Sequence, residues 1–120
     1  MRYLFALFFL CCGAAAAADE RRLSGEEIAV LLPDITATTE TTQQDFASDG
    51  GTAFKDAHRT SNGRWRVQGD FYCSTWPPSD AWRCYEVHVA PSKGNVPDII
   101  IWIDAELGDR TVNSILPKAK

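Results

Sequence analysis

Apolar and polar positions alternate along most of this chain in short runs, separated by turn residues. Trp65-Arg66-Val67 has strand spacing, Gln68-Gly69-Asp70 punctuates it, and Phe71-Tyr72-Cys73 resumes it. Two registers are open to this hairpin. A two-residue Gly69-Asp70 loop pairs Val67 with Tyr72 and sets Cys73 on the face of Arg66. A three-residue loop pairs Val67 with Phe71 and Trp65 with Cys73, which collects Trp65, Val67, Phe71 and Cys73 on one face. A one-residue slip flips every side chain, so the coherent apolar face favours the three-residue loop.

The other runs are shorter. Residues 35–39 and 41–47 are rich in threonine and read as two strands with a weak break near Glu40. Asp49-Gly50-Gly51 turns the chain, residues 52–55 return it, and Phe46 and Phe54 are the expected core anchors. Residues 56–62 read as a polar loop ending in the turn signal Ser61-Asn62-Gly63. Residues 83–90 alternate, with Cys84, Glu86 and His88 on one side and Tyr85, Val87 and Val89 on the other. Cys84 then lies on the polar side, against an inward disulfide; either a bulge follows it or the bridge sits at the sheet rim. Pro91-Ser92-Lys93-Gly94-Asn95 reads as a hairpin loop. Ile99-Ile100-Ile101-Trp102-Ile103 is apolar on both faces, as in a strand covered by a barrel interior and by a helix. Residues 112–116 form a last short strand.

One helix precedes the strands. Ser24 is its N-cap, and Glu27, three residues on, completes a capping box. Leu23 and Ile28 hold the staple positions, and Glu26 and Glu27 suit the positive end of the helix dipole. Ile28, Leu31 and Leu32 form an apolar stripe that Pro33 ends. A helix of about two turns is too short to stand alone and is expected to plug one end of a sheet. The whole is mainly β: a small antiparallel barrel or sandwich of seven or eight strands with one short N-terminal helix.

Composition places this domain. Residues 1–18 read as a secretory signal peptide, with Arg2 as the positive end, a short apolar run and an Ala-x-Ala site before Asp19. That run is too short to span a membrane, and a large residue, Leu10, precedes the cysteine pair Cys11-Cys12, against a lipoprotein signal. Residues 19–120 then form a single β-rich domain, periplasmic or secreted. Acidic residues outnumber basic ones 16 to 12, for a net charge of −4, and no basic patch exists to hold nucleic acid. Cys73 and Cys84 remain after the leader, and a disulfide between them is the default in an exported chain.

That disulfide closes an aromatic, proline-bearing loop. Trp76, Pro77, Pro78, Asp80 and Trp82 are the candidate binding residues, as a rigid tip presented to a partner or ligand. The alternative is that both tryptophans fold back as a lid over one end of the core.

Leu23-Ser24-Gly25-Glu26-Glu27-Ile28, Leu32-Pro33, the run from Gly63 to Asp70 with Tyr72-Cys73, and Cys84-Tyr85 carry a resemblance. Together they resemble a family of short exported bacterial proteins classed as a domain of unknown function. Its members pair a Leu-x-Gly-x-Glu-Ile helix with a Gly-x-Trp-x-Val core hairpin and a cysteine pair. Residues 92–120 depart from that pattern. The resemblance implies an exported, lipocalin-like small β-domain and supplies no activity.

Catalytic chemistry is thinly represented. His58 lies near Asp56 and His88 shares a side with Glu86, but a metal site needs three or four converging ligands, so no metal and no cofactor is expected. Ser79, His88 and Asp80 supply the residue types of a hydrolase without a nucleophile-elbow sequence. Arg64 and Arg66 on the outer face of the hairpin are suited to a carboxylate, or to a solvated face balanced by acids. The leading expectation is a non-enzymatic binding domain for an unknown protein or small molecule of the cell envelope. A small periplasmic hydrolase and a structural or stress-related envelope protein are the alternatives.

Overall fold

The computed structural model describes residues 19–118, so the expected signal peptide lies outside the described residues. In chain order the elements are β1 (Arg21–Arg22), α1 (Gly25–Leu31), a 3₁₀ turn (Leu32–Asp34), β2 (Ile35–Thr38), β3 (Gln43–Phe46) and β4 (Gly51–Lys55). They continue with β5 (Thr60–Gln68), β6 (Phe71–Thr75), β7 (Arg83–Ala90), β8 (Ile99–Asp104) and β9 (Arg110–Pro117). From β2 to β9 every strand pairs antiparallel with the next, and β9 returns to β2 through Ile35↔Pro117 and Thr38↔Ser114. The result is a closed, eight-stranded up-and-down barrel rather than a sandwich. Closure leaves no unpaired edge in the ring.

The meander sorts its connections to two ends. At one end, α1 and the 3₁₀ turn that follows it run beneath the barrel and bury Ile28 and Leu32 completely in a core with Phe46, Trp65, Val87 and Ile100. Its start forms as the sequence dictates. The Ser24 hydroxyl accepts from the Glu27 N–H at 3.2 Å, and the Glu27 carboxylate accepts from the Ser24 N–H at 3.0 Å. Pro33 ends the α-helix by passing the chain into the 3₁₀ turn and then into β2. The helix N-terminus is tied to the turn between β5 and β6, where Asp70 Oδ1 accepts from the Gly25 N–H at 2.8 Å. This approach is so close that a Cβ on Gly25 would meet the Gly69 carbonyl oxygen at 2.0 Å. Ahead of the helix, β1 fills the edge of β7 beyond the point where β6 turns away, pairing Arg22 with His88.

The register of the β5–β6 hairpin corrects the sequence reading. Val67 pairs with Tyr72, Trp65 with Ser74 and Arg66 with Cys73, so the loop has two residues, Gly69 and Asp70. Gly69 has φ 59°, as a two-residue hairpin turn with glycine at its first central position requires. The inward face is therefore Trp65, Val67, Tyr72 and Ser74, not the set with Phe71 and Cys73. Tyr72 belongs inside because its ring packs on Trp102 (centroids 4.9 Å) while its hydroxyl meets Gln44.

The same register resolves the position of the disulfide. Cys73 and Cys84 stand directly opposite one another on the outward face of β6 and β7, with Cα atoms 4.0 Å apart. No bulge is needed after Cys84, and the bridge crosses between two paired strands. The expected turn at Ser61-Asn62-Gly63 is instead strand, because β5 begins at Thr60 after a tight turn in which Asp56 Oδ1 accepts from the His58 and Arg59 N–H groups. The apolar β8 is covered as expected on its inner face by the core, and Ile101 on its outer face is also buried, 5% exposed.

Two stability predictions follow from this packing. Ser24→Ala should lower stability by about 1 kcal/mol in denaturant titration. Trp65 is 8% exposed, packs edge-on against Phe46 and donates its indole N–H to the Ala47 carbonyl. Trp65→Ala should therefore cost about 3–5 kcal/mol, enough to lower the thermal midpoint sharply.

Candidate functional site

Among the described residues, none plugs the end of the barrel opposite α1. The turns around residues 39–42, 56–59, 76–82 and 105–109 surround its mouth, and the interior there opens into a cavity of about 860 Å³. This lies within the size range of small-molecule sites. Its floor is aromatic: Tyr72 and Trp102 close it off from the apolar half of the barrel, with Phe46 beneath them at 5.7 and 5.8 Å between ring centroids.

The wall is built from inward positions where polar residues replace apolar ones. On β3, Gln44 lies two residues before Phe46; on β9, Asn113 lies two before Ile115; on β6, Ser74 lies two after Tyr72. Each continues the inward alternation of its strand into the open half. Each is held by a neighbour. Gln44 Nε2 donates to Thr52 Oγ1 at 3.0 Å and to the Tyr72 hydroxyl at 3.2 Å. The Trp102 indole N–H donates to Asn113 Oδ1 at 2.7 Å. Burial pushes the Tyr72 phenol up to about 12, outweighing the opposing hydrogen bonds from Ser74 and Gln44. Tyr85, half-buried beside it, is raised by the same desolvation. Arg59, exposed at the mouth, is the one charged residue lining the cavity among the described residues.

The disulfide loop supplies the lip of this mouth, and its two indoles go to opposite sides of the wall. Trp76 continues the inward series Tyr72, Ser74, Trp76. It lies half-buried over Gly63, where a Cβ would come within 2.7 Å of its ring. Gly63 is thus the seat of an indole, which explains a glycine inside a nine-residue strand. The Trp76 N–H donates to Ser74 Oγ at 3.3 Å, and Phe54 meets its ring edge-on at 6.4 Å. Trp82 lies outside, with the Arg66 guanidinium 4.0 Å above its ring. The loop between them doubles back along β6, where the Thr75 hydroxyl donates to the Ser79 carbonyl. Cys73 and Thr75 are buried although both face outward. Pro77, Pro78, Ser79, Asp80 and Ala81 are the exposed part.

No family model, curated protein or solved structure matches the chain.

Of the candidate binding residues, the structure brings Trp76 and Pro77 to the cavity, and sets Pro78 and Asp80 on the outer lip and Trp82 on the outer wall. The residues that make the cavity's chemistry, Gln44, Tyr72, Ser74, Trp102 and Asn113, escaped the sequence reading. The available signal was a polar residue at an inward position of a strand whose next inward residue is apolar. Ser79, Asp80 and His88 are not brought together. His88 lies five positions along β7 from Arg83, about 17 Å of strand away from the loop. Its Nδ1 meets Glu20 at 3.1 Å and its Nε2 meets Glu86 at 3.2 Å. Arg110 pairs with the same Glu20 and holds its carboxyl below the ordinary range. Among the described residues no group of three or more His, Cys, Asp and Glu side chains is placed to hold a metal ion, and no helix is long and apolar enough to cross a membrane.

Two outcomes test this geometry. The pKa of Tyr72 is raised from 10 to about 12, so its neutral form is preferred by the folded state. The sign is that of a group with a raised folded pKa: the stability it carries is complete below pH 10 and is lost as pH climbs toward 12. Alkaline unfolding followed by circular dichroism should be shallower over that window in Tyr72→Phe. Separately, replacing Cys73 and Cys84 together with serine should cost about 2–4 kcal/mol. Hydrogen exchange should then rise mainly in residues 74–83, because the strands on either side keep their ladders.

Proposed function

We propose that this chain is a non-enzymatic, exported binding domain that takes a small molecule into the open end of its barrel. The observation that carries this reading is the asymmetry of the barrel. One end is filled by Ile28, Leu32 and the surrounding core, while the other holds a cavity of about 860 Å³ lined by aromatic rings and polar groups, with Arg59 as its one charged residue among those described. A barrel built only for stability gains by filling both halves with apolar side chains. Here Gln44, Ser74 and Asn113 occupy inward positions instead. The disulfide loop serves this site by fixing Trp76 at its mouth. A loop already held in its bound shape loses little freedom on contact. The disulfide itself fits an oxidising compartment, and a periplasmic or secreted location is part of the proposal.

The test is a fragment screen by heteronuclear NMR on residues 19–120. Shift changes should concentrate on Gln44, Ser74, Trp76 and Trp102. Ser61→Trp, which places an indole in the mouth, should abolish them while leaving the remaining strand resonances in place. Shifts confined to the outer face around Trp82 would sink the cavity reading in favour of a protein-contact loop.

A further inference from the structure

The chemistry of the cavity narrows the class of ligand, on the reading that the cavity binds a small molecule. We propose that its ligand is a neutral oligosaccharide, held by stacking of sugar rings on Trp76 and the aromatic floor and by hydrogen bonds from the wall.

Charge gives the first restriction. Arg59 is the lone charged lining residue among those described, and it is exposed at the mouth. An ionic group carried down to Tyr72 and Trp102 would lose its hydration and find no opposite charge. The deep part of the ligand is therefore uncharged.

Polarity gives the second. The polar side chains are spread around the ring: Gln44 on β3, Ser61 on β5, Ser74 on β6, and Thr111 and Asn113 on β9. An alkyl chain filling this space would strip water from all of them and return no hydrogen bonds, at a cost for each group. A ligand with hydroxyls distributed over its own surface meets them all.

Hydrogen-bond direction gives the third. The Thr52 hydroxyl donates to the Asp45 carbonyl at 2.7 Å, so it must accept from Gln44, which fixes the amide orientation of Gln44. Its NH₂ is then committed to Thr52 and Tyr72, and its carbonyl oxygen is left to accept. Asn113 is the reverse. Its carbonyl oxygen is committed to the Trp102 N–H, and its NH₂ is left to donate. A wall offering both an acceptor and a donor suits hydroxyl groups, which do both.

The indoles supply the last. Trp102 spends its N–H on Asn113 and Trp76 spends its N–H on Ser74. Trp76, half-buried at the mouth, has its ring face left to offer, and Trp102, 7% exposed, offers the part of its ring not packed on Phe46 and Tyr72. A pyranose presents axial C–H groups on one face and hydroxyls around its rim, which matches an aromatic face ringed by amides and hydroxyls. Both rings are held before any ligand arrives, Trp76 by its seat on Gly63 and Trp102 by packing on Phe46 and Tyr72.

The experiment is a glycan array of neutral and acidic oligosaccharides, followed by NMR titration of residues 19–120 with the neutral hits and, in parallel, with laurate and adenosine. Neutral glycans should bind and shift the indole N–H signals of Trp76 and Trp102. Trp76→Ala should weaken that binding about tenfold or more, Trp76→Phe should recover most of it, and Gln44→Leu should weaken it without removing the stacking shifts. Cavity shifts produced by laurate, adenosine or acidic glycans, with none from neutral glycans, would overturn the carbohydrate assignment and leave the small-molecule reading standing. If neither these ligands nor the fragments perturb the cavity, both fall. Thermal melts of each variant separate lost binding from lost folding.

Discussion

A small barrel has two ends, and the described residues supply one α-helix. That shortage governs the architecture. Closing the sheet on itself through β9 and β2 satisfies the backbone of every strand, but leaves both mouths to be filled by side chains or covered by another element. The helix goes to one mouth and brings Ile28 and Leu32 with it. Its position is fixed by close contact, since Gly25 lies against the Gly69 carbonyl and is hydrogen-bonded to Asp70. The apolar half of the interior condenses around that plug, and the other half is left to aromatic and polar residues.

The boundary between the halves is the layer formed by Tyr72 and Trp102. Tyr72 turns its ring toward Phe46 and its hydroxyl toward Gln44, and so belongs to both environments. Burial at that boundary raises the pKa of its phenol. Above it, the indoles and amides are fastened to one another, which leaves the cavity walls with defined shapes despite their polarity. The disulfide acts at the rim on the same principle, from the outside, by holding the return of a loop that clasps the barrel wall between Trp76 and the Arg66–Trp82 stack.

What was legible in the sequence was local. The capping box at Ser24 and Glu27 depends on residues three apart, and it forms as read. The strands of the meander follow from alternation. The errors arose where a residue's role is set by something distant in the chain. Cys73 reads locally as apolar and inward, whereas its partner Cys84 shares a face with Glu86 and His88 and sets the bridge outward. The three-residue register that gathers Phe71 and Cys73 on one face turns Tyr72 outward, whereas its hydroxyl is met inside by Gln44, 28 residues earlier in the chain. Gly63 resembled a turn because its actual purpose, room for Trp76, depends on a residue across the hairpin. The cavity was hidden for a related reason. Polar residues facing inward weaken the contrast between the faces of a strand, so the part of the barrel with the most chemistry gave the thinnest periodic signal.

The pairing of β9 with β2 joins elements from near the two ends of the described chain. The six ladders from β2 to β8 join sequence neighbours and need nothing of β9, but the ring cannot shut until Arg110–Pro117 has found residues 35–38. Until then β2 and β8 both present open edges, each a template for pairing with another chain. High contact order of this kind makes closure the late and slow step of folding. Without its last strand the molecule is an open ribbon of hairpins, and Arg110–Pro117 alone turns that ribbon into a vessel with an inside.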